Sequence, residues 1–194
     1  MHGDFITVVS GLPRSGTSLM MQMLAAGGLP PLTDNLRAAD ESNPRGYFEF
    51  EPVKRLRDDQ TWLEQARGRA VKIIHLLVRE LPTDGTFNYR VLLMKRPIEE
   101  ILASQRAMLE RQNKTSANES MLAKVYQDQL LHLEQWLASQ PCFEFLSVDY
   151  HRVLENPGQC AEEINAFLDG DLNIPAMTGA VDATLYRQRR ETRQ

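Results

Sequence analysis

Apolar positions along the 194-residue chain fall into two patterns, which are short continuous runs and longer stretches with helical spacing. The continuous runs predict strands that are buried on both faces, as the strands of a parallel sheet are. Four such strands are expected, over residues 5–9, 71–75, 91–94 and 143–148. They are spaced widely enough for a helix or a long connection to lie between each strand and the next.

Helical spacing of apolar residues predicts the elements between these strands. The first helix is expected over residues 17–26, with Gly27-Gly28 ending it. Its inward side chains are Leu19, Met20, Met23 and Leu24. A second helix is expected to begin at Pro52 and a third at Pro97, because proline is favoured in the first turn of a helix. The buried face of the second helix is formed by Val53, Leu56 and Leu63.

Two further helices complete the pattern. A long one follows the polar stretch 112–118, and its buried stripe contains Leu122, Val125, Tyr126, Leu130, Leu133, Trp136 and Leu137. The last is capped at Asn156-Pro157 and ends at Gly170. Strands that alternate with helices predict one α/β domain of P-loop type over residues 1–194, with a central parallel sheet flanked by helices. Ligands of such sheets bind at the carboxyl ends of the strands, here after Val9 and Met94.

Composition narrows the classes of protein further. Hydrophobic residues make up 42% and charged residues 25% of the chain, which is ordinary for a globular domain. A net charge of −4 does not indicate nucleic-acid binding, so an anionic ligand would need local positive groups. No basic leader and no apolar run of the ~20 residues that span a membrane is present, and we expect a cytoplasmic protein. Cys142 and Cys160 are expected to be buried free thiols.

The most informative motif is Gly-Leu-Pro-Arg-Ser-Gly-Thr-Ser at residues 11–18, between the first predicted strand and helix. Backbone N–H groups and the helix dipole favour an anion at such a junction, so the segment predicts a phosphate-binding loop. Its frame resembles the Walker A pattern of nucleotide hydrolases, but Thr17 stands where that pattern has Lys. The positive residue lies earlier, at Arg14. Lys95 and Arg96, and not an Asp that could bind Mg²⁺, follow the third predicted strand.

Residues 13–20, Pro-Arg-Ser-Gly-Thr-Ser-Leu-Met, resemble the loop P-[KR]-S-G-T-[TS] with which sulfotransferases bind 3′-phosphoadenosine 5′-phosphosulfate (PAPS). The Arg form is similar to the tyrosylprotein and bacterial branches of that family. Arg96-Pro97, with Ser104 eight residues after Arg96, is similar to the family's 3′-phosphate site. Val148-Asp-Tyr150, with Leu154, Asn156-Pro157 and Phe167-Leu168, is similar to its late tyrosine-containing strand and the helix that follows. The three elements are distributed over residues 6–168, which is most of the chain.

The resemblance implies a PAPS-dependent sulfotransferase that moves a sulfuryl group to a hydroxyl acceptor and releases adenosine 3′,5′-bisphosphate. The 5′-phosphosulfate would be held by Ser15, Gly16, Thr17 and Ser18. Arg96 and Ser104 would bind the 3′-phosphate, because a guanidinium fork suits that dianion. Arg14 would bind the donor and stabilise charge on the bridging oxygen as the S–O bond breaks. No metal ion is implied.

A general base must take the proton of the acceptor hydroxyl. Since the family often supplies an acidic residue after the first helix, we expect Asp34 to be this base, with Glu49 as the alternative. Glu41 and Glu51 lie in the same segment and are weaker candidates. His75 follows a predicted strand end, and we interpret it as a structural histidine.

The chain departs from the family pattern at two places, and two other functions stay open. Leu19 stands where many cytosolic members carry a Trp for adenine stacking, and the C-terminal R-K-G loop of those members is absent. Arg187, Arg189 and Arg190 of the Arg-rich tail are candidates to replace that loop, and the alternative is a solvated end of the chain. A nucleotide kinase or hydrolase, or a non-catalytic module that binds adenosine 3′,5′-bisphosphate, are the alternatives, and Arg14 favours an enzyme. Residues 29–55 and 110–120 are expected to line the site of a small-molecule, lipid or carbohydrate acceptor.

Overall fold

Four parallel strands form the centre of the molecule. The structure, a computed structural model, describes residues 4–34, 36, 46–111 and 118–182. The strands are β1 (Ile6–Gly11), β2 (Ala70–Lys72), β3 (Tyr89–Lys95) and β4 (Phe143–Asp149), and they pair in the order β2-β1-β3-β4. Val8 of β1 is in register with Val71 and with Val91. The predicted central parallel sheet is therefore confirmed.

Seven α-helices and two 3₁₀ helices lie between the strands or after the last of them in the described part of the chain. The α-helices are α1 (Thr17–Ala26), α2 (Leu63–Ala66), α3 (Ile98–Arg111), α4 (Glu119–Ser139), α5 (Tyr150–Glu155), α6 (Pro157–Phe167) and α7 (Ile174–Gly179). The 3₁₀ helices are Glu51–Arg55 and Val78–Glu80. None of the described helices is long and apolar enough to cross a bilayer.

Apolar side chains fill both faces of the sheet, because successive residues of a strand point to opposite sides. On one face Val8 packs in a cluster with Leu133 and Leu137 of α4. On the other face Val9 and its neighbours pack with α1, α6 and α7. The helices thus flank the sheet on both sides, as predicted, and Cys142 and Cys160 are buried free thiols.

Three details of the sequence prediction are wrong. The helix expected from Pro52 to Leu63 is divided into the 3₁₀ helix Glu51–Arg55 and α2, because the Asp59 carboxylate accepts hydrogen bonds from the Thr61 amide and hydroxyl. Such local bonds compete with the helical ones. Strand β2 ends at Lys72 and not at residue 75, and Val125 of α4 is 39% exposed although it was expected to be buried.

The strand register places the candidate phosphate loop beside the start of α3. Gly11 at the end of β1 pairs with Met94 near the end of β3, and Val9 pairs with Lys72 at the end of β2. The segments that follow these three strands therefore meet at one edge of the sheet, which is the edge where parallel sheets bind ligands.

Candidate functional site

Loop 11–18 connects β1 to α1. At two positions, Gly11 and Gly16, its backbone conformation and close packing require glycine. Gly11 has a φ of +149° and Gly16 a φ of +103°. A Cβ atom at Gly11 would lie 2.5 Å from Ser15 Oγ, and one at Gly16 would lie 2.5 Å from Cδ2 of Tyr150. The glycines therefore allow the loop to fold closely against β3 and α5.

The start of α1 has the features of an anion site. No side chain in the described part of the chain caps it, and its first turn, which begins with the half-buried Thr17 and Ser18, has no acidic residue. Ser15 is fully buried, and its hydroxyl has no hydrogen-bond partner among the residues that the structure describes. Unpaired N–H groups at a helix start, together with such a hydroxyl, favour a phosphate or sulfate group.

Arg14 lies in the loop with a left-handed backbone, at a φ of +69°. This conformation is uncommon for a residue with a side chain and is often found at functional sites. Its Nε donates a hydrogen bond of 3.1 Å to Oγ of Ser104 on α3. From the resemblance, Arg14 was expected at the 5′-phosphosulfate of PAPS and Ser104 at its 3′-phosphate. The structure brings these two side chains into contact.

Arg96 joins the loop to α3 and α5, and its side chain is only 7% exposed. Its Nη1 donates to the Arg14 carbonyl at 3.1 Å, and its Nε lies 3.0 Å from Oε2 of Glu100. Its guanidinium carbon lies 4.5 Å from the ring centroid of Tyr150. Arg96 is therefore a buried part of the site and not a surface arginine.

Lys72 is a member of the site that the sequence analysis did not identify. Its Nζ donates to Oγ of Ser18 at 3.1 Å and to the Tyr47 carbonyl at 3.0 Å. The sequence does contain a sign of this role, which is a single Lys inside an otherwise apolar predicted strand. A cation in such a place needs a polar or charged partner. Together with Arg14 of the loop itself and Arg96, it places three cations at loop 11–18.

The two candidate bases lie side by side, but Asp34 is engaged by the backbone. The Asp34 amide donates to the Glu49 carbonyl at 3.3 Å. The Asp34 carboxylate accepts hydrogen bonds from the amides of Leu36 at 3.0 Å and Glu51 at 2.6 Å. Slight burial opposes ionisation, but these bonds outweigh it and hold the pKa of Asp34 below its usual value. A carboxylate in this state is a weaker base.

The other residues considered from the sequence are Glu51, His75, Glu41 and the Arg-rich tail. The Glu51 carboxylate is 53% exposed and pairs with Lys54. His75 is 5% exposed and its Nε2 lies 2.9 Å from Oε1 of Gln129. Burial lowers the pKa of His75 more than the Gln129 side chain and the Gly11 backbone raise it, so the ring is neutral near pH 7. Glu41 and the tail at 187–190 lie outside the described residues.

Comparisons with known proteins bear on the family and the fold of the chain. A family model described as a sulfotransferase domain matches residues 6–192. No curated protein matches the chain. The chain is 15% identical to the sulfotransferase domain from the curacin biosynthetic pathway, with a TM-score of 0.56, and the match covers 94% of this chain and 79% of that one.

Two further solved structures share the fold. For the sulfotransferase domain from the Synechococcus PCC 7002 olefin synthase the identity is 17% and the TM-score 0.56, with 97% of this chain and 82% of that chain covered. For sulfotransferase STF9 from Mycobacterium avium the values are 12% and 0.52, with 92% and 68% covered. At these identities the structural likeness supports the fold, and the family assignment depends on the family model.

Proposed function

The chain belongs to the sulfotransferase domain family and is a sulfotransferase, and from this premise we propose that it transfers a sulfuryl group from PAPS to a hydroxyl acceptor. One observation carries the proposal. Three cations lie at the start of α1: Arg14 within the glycine-containing loop, and Lys72 and Arg96, which donate hydrogen bonds to it. This arrangement fits a ligand with several anionic groups, and it supplies positive charge from the protein itself.

PAPS supplies the activated sulfuryl group. In the reaction, the acceptor oxygen forms a bond to sulfur as the bond from sulfur to the 5′-phosphate oxygen breaks. The acceptor loses its hydroxyl proton to a base, and adenosine 3′,5′-bisphosphate leaves. Because such a transfer needs position and electrostatic stabilisation more than covalent help from the protein, fixed cations and amides are the groups that it requires.

The residues around the loop divide into two proposed binding groups. The amides of residues 16–18, the hydroxyls of Ser15, Thr17 and Ser18 and the Lys72 ammonium would hold the 5′-phosphosulfate. The Ser15 amide donates instead to the Leu12 carbonyl, at 3.1 Å. Arg96 and Ser104 would hold the 3′-phosphate. Arg14 would act on the bridging oxygen, and its bond to Ser104 would couple the two groups.

We assign the base to the segment that contains Asp34 and Glu49, because Tyr47 ties this segment to Lys72 beside the loop. Asp34 was the first choice from sequence. Its carboxylate oxygens accept backbone amides, so it fits better as the residue that fixes the segment. Glu49 is then the stronger candidate for the proton acceptor.

Transfer of ³⁵S from labelled PAPS to pooled phenols, sugars and hydroxylated lipids tests the proposed function. The expected result is a labelled organic product together with an equal amount of adenosine 3′,5′-bisphosphate. Arg14→Ala should reduce the rate by roughly 10²–10³, since one fixed donor to a developing charge contributes about that much. Release of the bisphosphate with label only in inorganic sulfate, or no reaction with any pool, would overturn the proposal.

A further inference from the structure

Three polar side chains are hydrogen-bonded in series at the proposed 3′-phosphate site, and two of them are buried. Oε2 of Glu100 lies 3.0 Å from Nε of Arg96 and 3.0 Å from Nε2 of His151. The Glu100 side chain is 4% exposed and that of Arg96 is 7% exposed, whereas His151 at 31% reaches solvent. The series thus runs from His151 at the surface of α5, through Glu100 of α3, to Arg96.

The charge of Glu100 is unexpected at this place. A carboxylate next to an arginine that binds a phosphate dianion repels that dianion and weakens the binding. Burial of the ion pair is also costly, because both charges lose their hydration. Glu100 must therefore contribute something other than charge if Arg96 binds the 3′-phosphate.

Its contribution is the orientation of the guanidinium group. Three different elements fix that group: Glu100 accepts from Nε, the Arg14 carbonyl accepts from Nη1, and the Tyr150 ring lies against its face. An arginine is a long side chain with many rotamers, and binding is tighter when those rotamers are restricted beforehand. We propose that Glu100, itself held by His151, is a positioning residue that presents Arg96 to the 3′-phosphate.

The position of His151 supports this role. It directly follows Tyr150 at the start of α5, so the same turn of helix provides the ring under Arg96 and the imidazole beside Glu100. The same Glu100 oxygen serves both neighbours, so movement of the histidine changes the direction in which the carboxylate faces Arg96. The inference rests on the proposed function, because it assumes that Arg96 binds the 3′-phosphate.

Three variants separate orientation from charge: Glu100→Gln, Glu100→Ala and His151→Ala. The dissociation constants of adenosine 3′,5′-bisphosphate and of adenosine 5′-monophosphate, which lacks the 3′-phosphate, are measured by calorimetry for each. Glu100→Gln keeps an oxygen that accepts from Arg96, so it should bind the bisphosphate as well as wild type or better. Glu100→Ala should weaken the bisphosphate by about 10- to 100-fold, the range for residues that orient metal ligands. His151→Ala should show a smaller loss.

None of the three variants should change the affinity for adenosine 5′-monophosphate. Glu110→Gln, at an exposed glutamate in the last turn of α3, is the control and should bind both ligands as wild type does. Tighter bisphosphate binding by both Glu100 variants would show that Glu100 acts through charge alone and would overturn the inference. Equal weakening for both ligands, with a lower melting temperature, would show a merely structural role and would also overturn it.

If Glu100→Ala does not fold, the pair Glu100→Gln and His151→Ala decides the question. The inference then requires retained bisphosphate binding in the first variant and a selective loss in the second. A wild-type protein that does not bind the bisphosphate at all would instead contradict the proposed function. The failure of the two claims is therefore distinguishable.

Discussion

At the scale of single residues, the site is a small set of cations placed by different parts of the chain. Arg14 comes from the loop, Lys72 from the end of β2 and Arg96 from the turn before α3. Each is held by a partner of the protein, so their positions are fixed before an anion binds. Such preorganisation is what makes charged groups effective in binding and catalysis.

Lys72 gives a residue-scale prediction that sequence reasoning alone did not provide. Lys72→Met keeps most of the side-chain volume but removes the ammonium from Ser18 and from the Tyr47 carbonyl. Because a charged hydrogen-bond donor contributes about 1.5–3 kcal/mol, affinity for the bisphosphate or the transfer rate should fall by roughly 10- to 150-fold. Calorimetry and initial rates with PAPS measure the two effects separately.

The control for this variant is Lys124→Met, at an exposed lysine of α4. It should behave as wild type in both measurements. If Lys72→Met also leaves bisphosphate affinity and transfer rate unchanged, the lysine only ties the Tyr47 segment to the sheet and takes no part in binding PAPS.

Asp34 gives a prediction in which the pH dependence has a definite sign. The folded-state pKa of Asp34 is lowered below the ordinary value of 3.8, so its contribution to stability is present above that value. The contribution is lost as the pH falls through the lowered pKa. Asp34→Asn should therefore reduce the melting temperature at pH 7, and the difference from wild type should shrink below about pH 4. Thermal unfolding from pH 7 to pH 3 measures it.

Asp34 and Glu49 should differ in their effect on catalysis. Glu49→Gln should reduce turnover and keep bisphosphate affinity, and the loss should be smaller for acidic phenols, which ionise with little help. Asp34→Asn should lose less turnover than Glu49→Gln. A fully active Glu49→Gln variant, together with an inactive Asp34→Asn variant, would return the role of base to Asp34.

At the scale of elements, apolar spacing predicted structure well where no side-chain hydrogen bond to the nearby backbone competed with it. Helix α1 spans Thr17–Ala26 as its apolar spacing and Gly27 predict. The segment after Pro52 has similar spacing but breaks, since the Asp59 carboxylate forms its own turn. Helices α5 and α7 have six residues each, too few to show a periodic pattern.

The candidate site was predictable only in part, because some of its contacts join residues that are far apart in the sequence. Loop 11–18 is contiguous, so its role could be inferred from spacing, and Arg96 and Ser104 followed from a resemblance. The contacts of Lys72 with Ser18 and of Glu100 with His151 join residues that are 54 and 51 positions apart. A single sequence does not show such pairs, because neither periodicity nor spacing links their members.

Gly16 provides an element-scale prediction with a matched control. Gly16→Ala places a methyl group 2.5 Å from the Tyr150 ring in a backbone with a φ of +103°. Gly28→Ala has a similar φ of +98° and open space around it. Both variants should lose about 1–3 kcal/mol from backbone strain, and Gly16→Ala should lose about 1–3 kcal/mol more from crowding.

Urea unfolding measures both losses, and calorimetry should show weakened bisphosphate binding for Gly16→Ala only. Equal stability of the two variants would mean that Tyr150 moves aside easily. In that case the close packing of the loop against α5 would not be what shapes the site.

At the scale of the whole molecule, the fold places one set of loops on one edge of a parallel sheet and brings Arg14, Lys72 and Arg96 together there, in a chain with a net charge of −4. Local concentration of cations, and not the overall charge, therefore determines which ligand binds. The described residues account for the donor side of the proposed reaction. We propose that residues 1–194 form one such unit.

The most direct test of the central claim is a titration of the protein with adenosine 3′,5′-bisphosphate in the presence of a chelator of divalent metals. The account predicts binding without any metal ion, because Arg14, Lys72 and Arg96 supply the positive charge. At 100 times the dissociation constant, the ligand should stabilise the fold by about 2.7 kcal/mol. Absence of binding, or strong binding of ATP that depends on Mg²⁺ while the bisphosphate has no effect, would contradict the account.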